Sequence, residues 1–187
     1  MATTKIGICN LALRKLKLKT ITALTEENDS ARTMTDIYEY ILKEVLCEHP
    51  WNFAIKRVLL DTPSGTAPVY EFTYAFDLPV DCLRVINTED NVKYQVENGK
   101  LLCDSSTVNI KYIYYCDDVT LYSQNFIAVF ALRLAYEMAY SQAGSPEMRQ
   151  ILAQDDARKL GKSKSVDGQE SPVEDESENG SWLDSRR

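Results

Sequence analysis

The chain has 187 residues, a mass of 21.3 kDa and a formal charge of −7 at pH 7, and 44% of its residues are apolar. This composition excludes wholesale disorder and is sufficient for one real core. The acidic balance speaks against tight, sequence-independent DNA binding, which needs cations to displace counterions.

The first predicted helix covers residues 4–17. Ile6, Cys9, Leu13 and Leu16 recur at three- and four-residue steps, and Arg14, Lys15 and Lys17 suit its C-terminal end. A second helix is predicted over 28–48, where Ala31, Met34, Tyr38, Ile41 and Val45 draw one apolar seam that Ile37 and Leu42 widen. Pro50 ends it. From Trp51 the pattern becomes extended, with Phe53, Ile55, Val58 and Leu60, then Phe72, Tyr74 and Phe76 in alternation. Asn98-Gly99 between two short apolar runs signals a tight hairpin. Val108, Ile110, Tyr112 and Tyr114 then alternate along one further strand. The block 52–116 therefore reads as a small antiparallel sheet inserted between helices.

Helix returns over 123–143, with Ile127, Ala131, Leu134 and Met138 on one stripe. A last helix is expected over 145–162, opened by Ser145-Pro146-Glu147 and closed by Arg158, Lys159, Gly161 and Lys162. Residues 163–187 hold seven acids and three bases and read as a solvated acidic arm. Near its end stand Trp182-Leu183 and Arg186-Arg187, residue types favoured at interface hot spots, so the arm reads as a tether with a docking tip. The fold class is α+β: about four helices over 1–162, the inserted sheet, and the extended arm 163–187.

Candidate chemistry is sparse. Cys9, Cys47, Cys82, Cys103 and Cys116 are odd in number, and no pair has the C-x-x-C spacing of a redox or zinc site. They read as small buried hydrophobes. The single histidine, His49, sits at a helix end and reads as structural or capping; a Cys/His hydrolase lacks any supporting local sequence. Asp117-Asp118 is expected at a strand end, and Asp155-Asp156 on a solvated helix face. No phosphate loop, zincin motif or calcium loop occurs, so no cofactor or metal is expected. The N-terminus shows no signal peptide, and the most apolar window, 126–140, is too short to span a bilayer. Arg14, Lys15, Lys17 and Lys19 form a basic cluster that keeps a DNA-binding packaging or regulatory protein as the alternative.

The run His49-Pro50-Trp51-Asn52-Phe53-Ala54, followed by Arg57 and Leu60, resembles the signature of the tail tubular protein A family, the head-to-tail adaptor rings of short-tailed bacteriophages. Asn10-Leu11-Ala12-Leu13 with Leu16 is similar to that family's opening helix, and Ala31 and Tyr38 sit at matching distances. Tyr74-Ala75-Phe76-Asp77-Leu78-Pro79, Asp81-Cys82-Leu83-Arg84-Val85, Gly99-Lys100-Leu101-Leu102 and Ile110-Lys111-Tyr112-Ile113 resemble its central strands. The helix from Phe126 to Glu137 and the closing Trp182-Leu183 and Arg186 complete the likeness, which covers nearly the whole chain. Two departures stand out: Lys17 where the family has Gly, and Leu42-Lys43 where it has an Arg-Asp pair. The resemblance implies a homo-oligomeric ring, expected to be a dodecamer, at the head-tail junction of a virion. It binds the portal protein and the tail nozzle or next tail ring, and double-stranded DNA passes through its lumen. No enzyme activity, cofactor or membrane is implied. Trp182, Leu183, Arg186 and Arg187 are the expected interface residues, and residues 49–54 a structural motif. Eleven tyrosines suit an assembly part, since Tyr offers contact area at low entropic cost.

Overall fold

A computed structural model describes residues 4–65, 68–139 and 146–169. Helix α1 (Lys5–Lys15) begins where the Thr4 hydroxyl accepts the Gly7 N–H at 3.0 Å. Asn10, on its flank, clamps the following loop from both sides: its amide donates to the Ile21 carbonyl and its carbonyl accepts the Ile21 N–H, each at 2.9 Å. Helix α2 (Asp29–Glu48) is capped by Asn28, whose side chain accepts the Ala31 N–H at 2.8 Å. The seam of Ala31, Met34, Tyr38, Ile41 and Val45 is buried as its spacing predicts, and Leu42 and Leu46 are buried beside it.

Six strands follow: β1 (Ile55–Leu60), β2 (Tyr74–Asp77), β3 (Cys82–Thr88), β4 (Tyr94–Glu97), β5 (Lys100–Cys103) and β6 (Val108–Tyr114). The expected extended start at Trp51 is instead a single 3-10 turn, Asn52–Ala54, closed by the Ala54 N–H on the Trp51 carbonyl at 2.8 Å. The turn lets the indole tuck back beneath α2. Asn98 and Gly99 both take positive φ (48° and 73°), as the β4–β5 hairpin requires. The strands form two three-stranded antiparallel sheets rather than one, ordered β1-β6-β3 and β2-β5-β4. The reason lies in β6. Val108, Ile110 and Tyr112 face Phe76, Leu101 and Cys103 of the second sheet, whereas Ile113, on the opposite side of the pleat, enters the helical core. One strand thus has two apolar faces, and each needs its own cover.

Helix α3 (Gln124–Met138) starts at Ser123, which accepts the Phe126 N–H at 3.2 Å, and is apolar nearly all round. It is accordingly the central helix, packed against α1, α2 and α4 (Pro146–Gln169). The end of α4 departs from expectation. Gly161 does not stop it, and residues 163–169, expected in the arm, continue the helix. Leu152, Asp156, Leu160, Ser163 and Asp167 form one buried stripe, so tertiary contacts beyond Gly161 override its low propensity. Asp156, expected on a solvated face, is likewise buried, while its neighbour Asp155 pairs outward with Arg158 at 2.8 Å. Asp117 and Asp118 follow β6, and Asp118 accepts the Thr120 N–H and hydroxyl in a local turn. Ser145 and the acidic tip with Trp182, Leu183, Arg186 and Arg187 lie outside the described residues.

The loop after α1 is a Schellman ending. Leu16 caps the helix, the Lys17 N–H donates to the Arg14 carbonyl at 3.1 Å, and the Leu18 N–H to Leu13 at 3.0 Å. The motif places a left-handed residue at position 17, and Lys17 adopts it with φ 57°. The turn forms with Lys in a position that Gly adopts more readily, at a cost in backbone strain. Lys17→Gly should therefore raise stability by ~1 kcal/mol, read as a higher denaturation midpoint with an unchanged slope.

Candidate functional site

The motif residues converge on the junction of α2, α3, α4 and β1. Trp51 is fully buried, and its indole N–H donates to the Val45 carbonyl of α2 at 2.9 Å. Its ring meets Phe126 edge-on at 5.1 Å and His49 at 4.9 Å, while Phe53 packs on Phe126 at 4.8 Å and on Tyr122 at 5.3 Å. Such edge-to-face pairs contribute about 0.5–1.5 kcal/mol each beyond area burial. Ala54 is buried below them, and Pro50 ends α2 behind the His49 cap.

His49 and Asn52 hold the last turns of α4. His49 Nε2 lies 3.0 Å from Asp167 Oδ2, and the Asn52 side-chain amide donates to the Asp167 carbonyl at 2.9 Å. The Asn52 backbone N–H reaches Asp167 Oδ1 at 3.4 Å. The sequence puts His49 at a helix end, whereas its partner Asp167 stands 118 positions away in the segment expected to be arm. Its signal was present in the four- and three-residue steps from Leu152 to Asp167, masked by the surrounding polarity.

Arg133 of α3 makes the second polar knot. Its guanidinium reaches Glu44 at 2.6 Å and Glu48 at 3.0 Å on α2, and Asp156 at 2.8 Å on α4. Burial works against the charged guanidinium, but the three carboxylates outweigh it and hold its pKa up. For Asp156, burial dominates and raises the carboxyl pKa, with Arg133 opposing. Asp156 Oδ1 has no hydrogen-bond partner among the described residues. A further knot ties the first sheet: Lys56 binds Asp81 at 2.6 Å and lies 3.9 Å from the Tyr114 ring, while the Tyr112 hydroxyl donates to Asp81 at 3.3 Å.

Four of the five thiols sit in poor settings for nucleophilic chemistry. Burial pushes the Cys9 thiol up to about 11 and raises Cys47, Cys82 and Cys103 as well, which leaves little thiolate at neutral pH. His49 directs Nε2 to a carboxylate. Among the described residues no group of three or more His, Cys, Asp or Glu is placed to hold a metal ion. No described helix is long and apolar enough to cross a membrane. Arg14, Lys15, Lys17 and Lys19 are all exposed around the end of α1. Leu42 is buried, and Lys43 pairs with Glu39 at 2.8 Å and lies 5.1 Å from the Tyr115 ring.

Arg133→Met should cost about 3 kcal/mol near neutral pH, because it strands a buried Asp156 carboxylate. The double variant Arg133→Met/Asp156→Leu should recover most of that loss in denaturant titrations. The raised carboxyl gives the sign with pH. A protonated Asp156 carries no stranded charge, so the single variant's deficit should shrink as pH falls through the carboxyl range. Asp167→Ala should loosen the end of α4 selectively. Hydrogen exchange should accelerate over 160–169 while α2 and α3 stay protected, with a global loss of ~1–2 kcal/mol.

No family model matches the chain, and no curated protein matches it.

Proposed function

We propose that the protein is a structural adaptor, a subunit of a ring that joins a phage portal to the tail and forms part of the DNA conduit. One observation carries this reading: the run of residues 49–54, with its ordered companions along the chain, resembles the adaptor-family signature. The structural setting is compatible with it. The run lies at a packing junction, with His49 and Asn52 on Asp167, rather than lining a reaction cleft. It anchors the last described turns of α4 through Asp167. In this reading Trp182, Leu183, Arg186 and Arg187 engage the portal or a neighbouring subunit, and residues 49–54 are structural. The ring is expected to be a dodecamer assembled in the host cytoplasm.

The second reading, a DNA-binding packaging or regulatory protein, draws on the exposure of Arg14, Lys15, Lys17 and Lys19. Steep salt-dependent duplex binding, lost when the four are neutralised, would favour it.

Negative-stain images of the protein, alone or mixed with portal, should show rings. Deleting 170–187 should leave the folded body, by circular dichroism and thermal unfolding, but abolish stable attachment. Trp182→Ala should account for most of that loss, about 2–4 kcal/mol in a binding titration. Normal attachment by the truncated chain would overturn the assignment of the arm.

A further inference from the structure

Arg133 faces more negative charge than it can neutralise. Its guanidinium, on α3, meets Glu44 and Glu48 of α2 and Asp156 of α4, so three carboxylates share one cation. Their settings differ. The side chains of Glu44 and Glu48 are 40% and 31% exposed and are screened by water, whereas Asp156 is 8% exposed. The pairing of Asp156 is also lopsided. Arg133 Nε at 3.0 Å and Nη2 at 2.8 Å both donate to Oδ2, and Oδ1 is buried with no hydrogen-bond partner among the described residues. A fork-to-fork pair would use both oxygens. Here Nη1 goes to Glu44, and Nη2 is shared with Glu48.

A buried anionic oxygen without a donor is costly, and a proton removes the charge from it. The neutral acid keeps its contacts: Oδ2, as the carbonyl oxygen, still accepts from the guanidinium, and Oδ1 carries the proton. Glu44 and Glu48 then share the cation with one carboxylate fewer. On α4 itself, the neighbouring Asp155 turns outward to Arg158, and Lys159 is exposed. Burial is the largest influence on the Asp156 carboxyl and raises it, Arg133 opposes, and Glu48 and Glu44 add to the rise. The folded protein therefore binds this proton more readily than the unfolded chain. The stabilisation it brings is present in acid and is lost as pH rises from the ordinary carboxyl range through the raised value.

We propose that the Arg133 knot is a proton-operated clasp on the last helix. Uptake of one proton by Asp156 in mild acid tightens α4 against α2 and α3, and its release toward neutral pH slackens the helix. The clasp is independent of the adaptor reading, because it lies wholly within the folded body.

Hydrogen exchange of the full chain, corrected for the intrinsic pH dependence of amide exchange, tests it. Between about pH 7 and about pH 4.5, protection over 152–160 should rise about fivefold relative to α1. Asp156→Asn, an uncharged group of the same shape, should be protected at both pH values and lose the response. Glu44→Gln, which leaves Arg133 one carboxylate fewer, should move the response to lower pH. Carbon NMR titration should place the Asp156 midpoint above the ordinary carboxyl range. The competing acid-sensitive group is His49, on Asp167 at the far end of the same stripe, so His49→Gln should retain the response. The proposal fails if Asp156 titrates within or below the ordinary range. It also fails if the response persists in Asp156→Asn or vanishes in His49→Gln, which would assign it to the His49 and Asp167 pair.

Discussion

Burial of the Trp51 indole is the constraint on which the rest of the architecture depends. The ring has no exposed surface, yet it carries one donor that must be satisfied, and the Val45 carbonyl accepts it six residues upstream. This hydrogen bond folds the chain back beneath the end of α2. The turn that follows, Asn52–Ala54, then starts β1 at a fixed place and direction. Phe126 completes the arrangement by meeting both Trp51 and Phe53 edge-on, so the central helix is located by the same cluster. Removing the indole would therefore do more than open a cavity: it would uncouple the helical body from the strand that leads into both sheets.

The last helix is held by different physics. Its buried stripe contains two carboxylates, Asp156 and Asp167, eleven residues apart and hence close to three full turns on one face. Asp156 meets a guanidinium shared with Glu44 and Glu48, and Asp167 meets His49 and Asn52. Desolvating these acids offsets much of what the pairs contribute, as the raised Asp156 carboxyl shows. Their value is positional. Apolar packing would let a helix slide by a turn among similar side chains, whereas a misaligned buried carboxylate loses its partner. The register of α4 is specified by charge.

These two regimes explain how much of the molecule could be read from its residues. The seam from Ala31 to Val45, the Ser123 cap and the Asn98-Gly99 turn all declare themselves locally, because spacing or φ preference alone decides them. The end of α2 at His49, just before Pro50, was legible for the same reason. The second sheet was not, since the alternation of β6 gives no warning that Ile113 on its far side also needs cover. The run from Ser163 to Asp167 was missed because its helical state depends on His49 and Asn52, more than a hundred residues earlier. Local composition there is polar, and Gly161 and Gly168 flank the run, which is the pattern of a solvated arm. Partners distant in sequence override propensity, and no window along the chain contains both halves of such a pair.

Moving the boundary of α4 changes what the opening charge means. Lys164 and Asp167 cancel, so the residues transferred to the helix carry no net charge. The 18 residues 170–187 still contain six acids and two bases, which is −4 of the total −7. The acidity is thus concentrated beyond a helix whose own register is set by buried acids. A body left with −3 presents its cations unevenly, with Arg14, Lys15, Lys17 and Lys19 exposed around one helix end. A segment of one sign is repelled by like charge and attracted where cations are exposed, so on the adaptor reading proposed above its own acidity would narrow where the Trp182 that follows it is presented.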